Sequence, residues 1–190
     1  MDTDWSVELG ADDPALQFPW VSPDGSRGYV DLLRHPEAIA TITETIICPE
    51  LSELLLVLNN DISPWLTAKC DVWQEDELNE AELIYDAKLK FCSYIDLVAR
   101  DFNSRFSFGR HEAWVKAAAS ALSSTSSNGI ACEFIVRRCW FGATDGRQYE
   151  SVPGFCVTLY LFGYGDLAEA RANWAHGLRQ ATTLLASSAP

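Results

Sequence analysis

The chain has 190 residues, 48% of them hydrophobic and 22% charged, which is the composition of one globular domain with a substantial core. Its formal net charge of −13 opposes general attraction to nucleic acid phosphates or to anionic lipid, so we expect neither nucleic acid nor a membrane as a partner. No stretch approaches the ~18 consecutive apolar residues of a membrane-spanning helix.

The acidic residues are concentrated in the first half of the chain. Residues 1–100 contain 20 acidic and 6 basic residues, whereas residues 101–190 contain 7 acidic and 8 basic residues. A solvated acidic face would explain this imbalance without any binding role, but such a surface can also attract a basic protein. The imbalance therefore favours another protein as the partner.

The six cysteines show no CxxC pair, and most lie within apolar runs, where a reduced thiol behaves as a small hydrophobic side chain. The first residues, Met-Asp-Thr-Asp-Trp, are acidic where a signal peptide requires positive charge. We therefore expect a cytoplasmic protein with reduced thiols. His35, His111 and His176 are far apart and match no metal-ligand spacing, so we expect neither a metal nor a cofactor.

The first 27 residues are predicted to be irregular and to pack on the body of the protein, with residues 28–190 forming a single α+β domain. Residues 1–27 begin with several acids and contain a turn at Pro23-Asp24-Gly25. Three aromatic residues indicate that the segment lies across the domain: Trp5, Phe18 and Trp20.

Two helices and a strand are predicted next. Pro36 is typical of a first helical turn, and isoleucines follow it at helical spacing. A second helix is predicted over Pro49–Leu58, whose leucines form one stripe. Leu66–Trp73 is predicted to be a strand because its residues alternate. The residues on its apolar side are Leu66, Ala68, Cys70 and Val72.

A long helix is predicted from Glu75 to about Arg100. Six acidic residues and no basic residue occur between positions 75 and 86, and the helix dipole favours acids in a first turn. Two charge pairs at i,i+4 spacing support the same helix: Asp86 with Lys90, and Asp96 with Arg100.

Two further helices are predicted in the second half. One spans about His111–Leu122 and ends before the polar linker at 123–128. The other begins at Asp166, with Glu169 placed to complete a capping box. We expect this last helix to pack on the apolar face of the hairpin that precedes it.

The hairpin is predicted from two apolar, β-rich runs that flank Asp145-Gly146, a dipeptide typical of a two-residue turn. Counting outward from the turn sorts one face into apolar pairs. These pairs are Cys132 with Leu159, Phe134 with Val157, and Val136 with Phe155. A longer loop through Tyr149–Gly154 is the alternative, and Pro153-Gly154 indicates a bulge or bend.

These elements together predict an α+β fold. We expect an antiparallel sheet of three to four strands, centred on the hairpin of residues 130–162 and packed by about five helices. The strand Leu66–Trp73 is expected beside one strand of the hairpin.

The polar face of this hairpin is the candidate ligand site. Glu133, Arg137 and Tyr160 lie on it, and Lys69 and Trp73 extend it if their strand joins in a matching orientation. Charges interleaved with aromatic rings can line a polar cleft, but cross-strand pairs on a solvent-exposed face have the same composition.

The function classes follow from this site and from the charge. The sequence contains no nucleophile elbow and no phosphate-binding loop. It therefore favours a protein that is not an enzyme, and it identifies no catalytic residues. Our first hypothesis is a cytoplasmic interaction or regulatory protein whose acidic N-terminal half docks a partner, as immunity or inhibitor proteins do. The alternative is a small-molecule-binding domain or enzyme that uses the polar face of the hairpin sheet.

Two other possibilities stay open. A Cys–His dyad could form in space from Cys139 or Cys156 with His111, although their spacing does not require it. An exposed apolar patch would instead indicate a homodimer.

Overall fold

Six strands form a single sheet in the part of the chain that the computed structural model describes, residues 1–125, 127–142 and 151–190. The strands are β1 (Asp2–Glu8), β2 (Ala15–Phe18), β3 (Trp65–Glu75), β4 (Leu89–Ala99), β5 (Ile130–Phe141) and β6 (Val152–Gly165). Their order is β1-β5-β6-β4-β3, and β2 follows β1 along the same edge of β5. The pairings of β1 and β2 with β5 are parallel, and the others are antiparallel.

The described residues also form four α-helices: α1 (Thr43–Ile47), α2 (Pro49–Leu58), α3 (Phe108–Ser123) and α4 (Leu167–Leu185). Three short 3-10 helices accompany them at Pro36–Thr41, Glu82–Tyr85 and Ser104–Phe106. None of the described helices combines the length and the apolar character that a membrane crossing requires. The mixture of helices with a mainly antiparallel sheet agrees with the predicted fold class.

The main core lies between α2, α3, α4 and one face of the sheet, which we call the helix face. Its largest side chains include Trp65, Phe134 and Trp174, all fully buried. Trp174 donates a hydrogen bond from Nε1 to Ser93 Oγ at 2.8 Å, so its one polar atom is satisfied inside the core. We call the opposite face of the sheet the open face.

The sheet has six strands rather than the predicted three to four. Residues 1–27, expected to be irregular, contribute both β1 and β2. Thr3, Trp5 and Val7 alternate with polar residues along β1, but the acids among those polar residues are depleted in strands and obscured this pattern. Its backbone hydrogen bonds come from β5, which is distant in sequence and therefore invisible to local pattern analysis.

Strand β4 occupies the region of the predicted helix from Glu75 to Arg100, so that prediction is wrong. β4 lies between β3 and β6 and is buried on both faces, which makes its apolar run nearly continuous. Periodicity does not separate such a run from a buried helix. Two residues of the acidic stretch form ion pairs with Lys90 on β4. The Lys90 ammonium lies 2.8 Å from Glu82 and 3.2 Å from Glu75.

The pairing of β5 with β6 keeps the predicted faces but has a different register. Phe134 pairs with Leu159 rather than with Val157, and every other pair is displaced by the same two residues. Because side chains alternate along a strand, a shift by an even number leaves the apolar residues on one face. The predicted turn at Asp145-Gly146 lies outside the described residues.

The β5–β6 ladder continues through Pro153 and Gly154, where a bulge or bend was expected. Gly154 pairs with Cys139 in the same register as the rest of the ladder. A Cβ atom at Gly154 would lie 2.6 Å from the backbone oxygen of Arg105. The glycine therefore allows the segment around Ser104–Phe106 to cross close to the sheet.

The predicted positions of three helices are confirmed. α2 matches Pro49–Leu58, α3 covers the predicted His111–Leu122, and α4 begins at the predicted capping box. Asp166 accepts hydrogen bonds from the backbone nitrogens of Ala168 and Glu169, and α4 packs on the apolar face of β6.

The helix predicted at Pro36 is divided into two pieces. Pro36–Thr41 forms a 3-10 helix, and Ile42 adopts an extended conformation before α1 begins. The strand predicted at Leu66–Trp73 is confirmed as β3, but it pairs with β4 rather than with a strand of the hairpin.

Gly163 provides a test of the contact between α4 and β6. A Cβ atom at this position would lie 2.1 Å from the backbone oxygen of Ala170 and 2.3 Å from the backbone nitrogen of Trp174. Because backbone atoms cannot move aside cheaply, we expect Gly163→Ala to lower the free energy of unfolding by about 3 kcal/mol. Urea denaturation followed by circular dichroism would measure the loss.

Gly109→Ala is the matched control for this substitution. No atom lies within 4 Å of a Cβ built at Gly109, which belongs to the first turn of α3. We expect this change to stabilise the protein by about 0.5 kcal/mol because alanine restricts the unfolded chain. Equal effects of the two substitutions would contradict the close packing of α4 on β6.

Candidate functional site

One end of the open face is covered by residues 19–33, which we call the strap. Its residues 20–29 form a small hairpin: Tyr29 donates its backbone N–H to the Trp20 oxygen at 2.7 Å. Gly25 takes a left-handed conformation at the predicted Pro23-Asp24-Gly25 turn, with φ of 69°. The strap closes a second, smaller core on the open face. This core includes Leu16, Phe18, Leu66, Ala68, Val98, Cys139, Phe141 and Cys156.

The other end of the open face is covered by the 3-10 helix Glu82–Tyr85. The ring of Tyr85 stacks on that of Tyr164 with a centroid distance of 4.2 Å. Glu82 accepts a hydrogen bond from the Tyr164 hydroxyl at 2.9 Å and binds Lys90. Between these two covers, the middle of the open face carries a band of polar and aromatic side chains.

This band includes the five predicted ligand contacts: Glu133, Arg137, Tyr160, Lys69 and Trp73. Glu133 pairs with Tyr160 across β5 and β6, and the Tyr160 ring lies 5.8 Å from the ring of Tyr94 on β4. The Tyr94 ring lies 6.3 Å from that of Trp73 and 5.1 Å from Lys69 Nζ. Tyr94 therefore joins the predicted residues of the hairpin to those of β3.

Arg137 is tied into a hydrogen-bonded network on this face. Its guanidinium binds Glu8 on β1, with an Nη2–Oε2 distance of 2.7 Å, and donates from Nη1 to Thr158 Oγ1 at 3.2 Å. Nη1 also donates to the Tyr160 hydroxyl at 3.4 Å. Only 14% of the Arg137 side chain is exposed. Arg137 thus cross-links three strands and leaves few donors for a ligand.

Asp96 is the buried acidic group of the open face. It lies on β4, is 7% exposed, and accepts a hydrogen bond from Thr158 Oγ1 at 2.6 Å. Burial raises the pKa of Asp96, and the Thr158 hydrogen bond and the charges of Lys69 and Arg137 offset only part of that rise. Buried carboxyl groups with a raised pKa are concentrated at functional sites.

A bulge in β3 sets the direction of Lys69. Thr67 pairs with Leu97 and Lys69 with Asp96, so Ala68 is an extra residue between two regular pairs. The predicted alternation along β3 is therefore interrupted. Leu66 and Ala68 pack in the core beneath the strap, whereas Cys70 and Val72, expected on the same side, pack against the main core.

Lys69 lies in the wall of a cavity of about 380 Å³ that is bounded by the strap, the edge of β3 and residues 41–44 at the start of α1. Its Nζ atom is 5.3 Å from the ring centroid of Trp20 and 5.1 Å from that of Tyr94. Among the described residues, no carboxylate lies within 4.0 Å of this ammonium and no acceptor binds it. Two charged residues in the same wall, Arg27 and Glu44, pair with each other at 3.8 Å.

The Cys–His alternative is not supported by the geometry. Cys139 and Cys156 lie buried on the open face, whereas His111 is on α3 and its ring contacts Phe155, which points to the helix face. Contact with Cys139 and burial raise the pKa of Cys156, so the thiol stays protonated. His111 donates from Nδ1 to the Ser107 oxygen at 3.0 Å, and burial lowers its pKa.

Metal binding is not supported either. Across residues 1–125, 127–142 and 151–190, His, Cys, Asp and Glu side chains form no group of three that could hold a metal ion.

Sequence reasoning missed Trp20, Tyr94 and Asp96. Asp96 and Tyr94 belong to the predicted long helix, where Asp96 has Arg100 as its expected partner. A single acid inside an apolar run was the signal that could have identified Asp96 as buried. Trp20 reaches Lys69 only through the fold of the strap, and no local pattern indicates that contact.

Comparison of this chain with protein-family models, with curated proteins and with solved structures gives no match. The functional argument therefore depends on the geometry of the open face alone.

The protonation of Asp96 can be tested through stability. Because its pKa is raised in the folded protein, the folded state holds this proton more tightly than the unfolded state. The cost of Asp96 is therefore absent below the pKa of the free carboxyl group, grows as the pH rises above it, and is complete above the folded pKa. We expect Asp96→Asn to be more stable than the unmodified protein at pH 8 by about 1 kcal/mol, a typical cost for an incompletely paired buried group.

Urea denaturation at several pH values would measure this difference in stability. The difference should shrink as the pH is lowered towards the pKa of the free carboxyl group. Asp71→Asn is the control, because Asp71 is exposed on the neighbouring strand. If the stability difference between Asp96→Asn and the unmodified protein does not vary with pH, burial does not raise the pKa of the Asp96 carboxyl group.

Proposed function

We propose that the protein binds a small polar molecule in the cavity beside Lys69, where the strap meets the edge of the open face. The observation that carries this proposal is the environment of the Lys69 ammonium. Two aromatic rings flank it on a cavity wall, and no acceptor among the described residues uses its three N–H groups. The rings attract the ammonium through its charge and accept none of its hydrogen bonds, so a ligand can use all three donors.

The rest of the polar band is better suited to a supporting role. Arg137 is occupied by Glu8, Thr158 and Tyr160, and Glu133 accepts a hydrogen bond from Ser6 at 2.9 Å. Side chains held in this way orient a site without offering new contacts. This reasoning narrows the predicted site from the whole polar face to the part near Lys69.

The cavity itself has the properties of a ligand site. Its volume of about 380 Å³ falls within the range of ~300–1,000 Å³ found for small-molecule pockets. Trp20, Tyr94 and Val30 supply apolar and aromatic wall, while Lys69 and Thr43 supply polar groups. We propose binding without covalent chemistry, because desolvation raises the pKa of Cys70, the thiol in the cavity wall, to about 12 and keeps it protonated.

Gly28 offers a way to block the cavity. It lies in the cavity wall, and no atom is within 4 Å of a Cβ built at this position. Gly28→Leu should therefore add bulk at the cavity wall without a clash at its Cβ atom. We expect ligands found in a thermal-shift screen of small polar molecules to stabilise the unmodified protein and to lose at least about tenfold in affinity on Gly28→Leu.

Gly109→Leu is the matched control, since its Cβ also meets open space but lies on α3, away from the cavity. Ligands should bind this variant normally. The proposal would be contradicted if every ligand bound Gly28→Leu and Gly109→Leu equally. The library for this test should contain anions, cations, zwitterions and neutral compounds, and at least one of them should bind the two variants with different affinity.

A protein partner for the acidic half is the second candidate function, of the immunity or inhibitor type. The observation in its favour is a group of exposed acids after β3: Asp76, Glu77 and Glu80. Other acids of the first half are on opposite edges of the sheet, in β1 and β3, and therefore cannot all meet one partner. A basic protein would dock on the group after β3.

This second candidate predicts a strong dependence on salt. Neutralising the group with Asp76→Asn, Glu77→Gln and Glu80→Gln should slow association with a basic partner, as should raising the ionic strength from about 0.05 to 0.5 M. Stopped-flow measurement of the association rate would detect both effects. If the triple substitution does not change the association rate, the partner does not dock on the acidic group after β3.

A further inference from the structure

The cavity wall holds two cations and two acids, but neither acid pairs with Lys69. Arg27 and Glu44 neutralise each other through their ion pair at 3.8 Å. Asp71 is exposed, and its Oδ1 accepts a hydrogen bond from the backbone nitrogen of Val72 at 2.8 Å. The Lys69 ammonium is thus the one cation of this wall, within the described residues, that has no acceptor.

The rings beside Lys69 restrict what the ammonium can bind. Trp20 and Tyr94 place aromatic rings, not hydrogen-bond acceptors, next to the ammonium, with centroids 5.3 and 5.1 Å from Nζ. Hydrogen bonds between an ammonium and a negatively charged oxygen are about twice as strong as those between neutral groups. The same rings offer a flat apolar surface next to the charge.

The number of available cations limits the charge of the ligand. A phosphate dianion is usually held by several cations or by a series of backbone N–H groups. Here a single lysine is available, and the Asp96 carboxyl group, which pairs with Lys69 across the strands, opposes a second negative charge when it is ionised. One negative charge matches this arrangement.

We infer that the ligand of this cavity is a small monoanion, a carboxylate attached to a flat apolar group, whose oxygens accept hydrogen bonds from Lys69. This inference rests on the proposed binding function and specifies its ligand class. The carboxylate lies at the Lys69 ammonium, and the flat group packs on the ring of Trp20. Asp96 lowers the affinity for the anion. On the opposite side of the band, the residues that bind Arg137 occupy its donors, so the anion does not bind there.

Calorimetric titration at constant ionic strength tests this inference with four probes of similar shape. Benzoate is the expected ligand, benzamide is its neutral analogue, benzylamine is a cation, and phenyl phosphate carries more negative charge. We expect benzoate to bind at least about tenfold more tightly than each of the other three, because it alone brings a single negative charge to the ammonium.

Substitutions at Lys69 identify the residue responsible. Lys69→Met retains the length of the side chain and should reduce benzoate affinity at least about tenfold while leaving benzamide unchanged. Lys69→Arg should retain most of the affinity, which shows that a loss in Lys69→Met is not caused by misfolding. Lys116→Met is the matched control, because Lys116 Nζ also lies over a tryptophan ring, 4.7 Å from the centroid of Trp5, but on α3.

Asp96→Asn gives a test of opposite sign. At a pH above the folded pKa of Asp96, removing this carboxyl group should tighten benzoate binding, whereas a merely structural role would weaken it or leave it unchanged.

Three results would overturn the inference: equal binding of benzamide and benzoate, unchanged benzoate affinity in Lys69→Met, or no benzoate binding at millimolar concentration. Its failure can be separated from failure of the proposed function. If a neutral or cationic compound binds and Gly28→Leu abolishes that binding, the cavity is a ligand site and only the ligand class is wrong. If Gly28→Leu affects no ligand, the proposed function itself is wrong.

Discussion

The position of β4 in the middle of the sheet is the constraint on which the open face depends. β4 pairs with β3 on one side and with β6 on the other, so it holds Lys69 and the hairpin residues on one continuous surface. Its helix-facing side completes the main core, where Ser93 satisfies the indole of Trp174. Its other side carries Tyr94 and Asp96. A strand covered on both faces can keep a carboxyl group dehydrated, and that dehydration raises the pKa of Asp96.

The polar residues of the open face have two different physical roles. Glu8, Arg137 and Thr158 form a chain of hydrogen bonds that ends at Asp96, and each member has a partner. A satisfied buried network fixes the relative position of strands. Lys69 differs because rings rather than acceptors surround it. A partnered network beside an ammonium without an acceptor is the arrangement expected of a preorganised binding site.

Features that depend on residues close together in the sequence could be predicted, and features that depend on distant segments could not. The capping box at Asp166 and the leucine stripe of Pro49–Leu58 depend on neighbours within four residues, and both were predictable. The two faces of the hairpin were also predictable, because alternation is a local property. The register was not, because a shift of two residues produces the same faces.

The sequence by itself determined the mixed helix-and-sheet composition, the positions of α2, α3 and α4, and the open-face location of Glu133, Arg137 and Tyr160. These features follow from local spacing and from the alternation of side chains. Only the tertiary structure decided that residues 89–99 form a central strand, that β1 pairs with β5, and that Trp20 meets Lys69. Each of these depends on contacts between segments far apart in the chain, and the pattern within one segment does not reveal its distant partner.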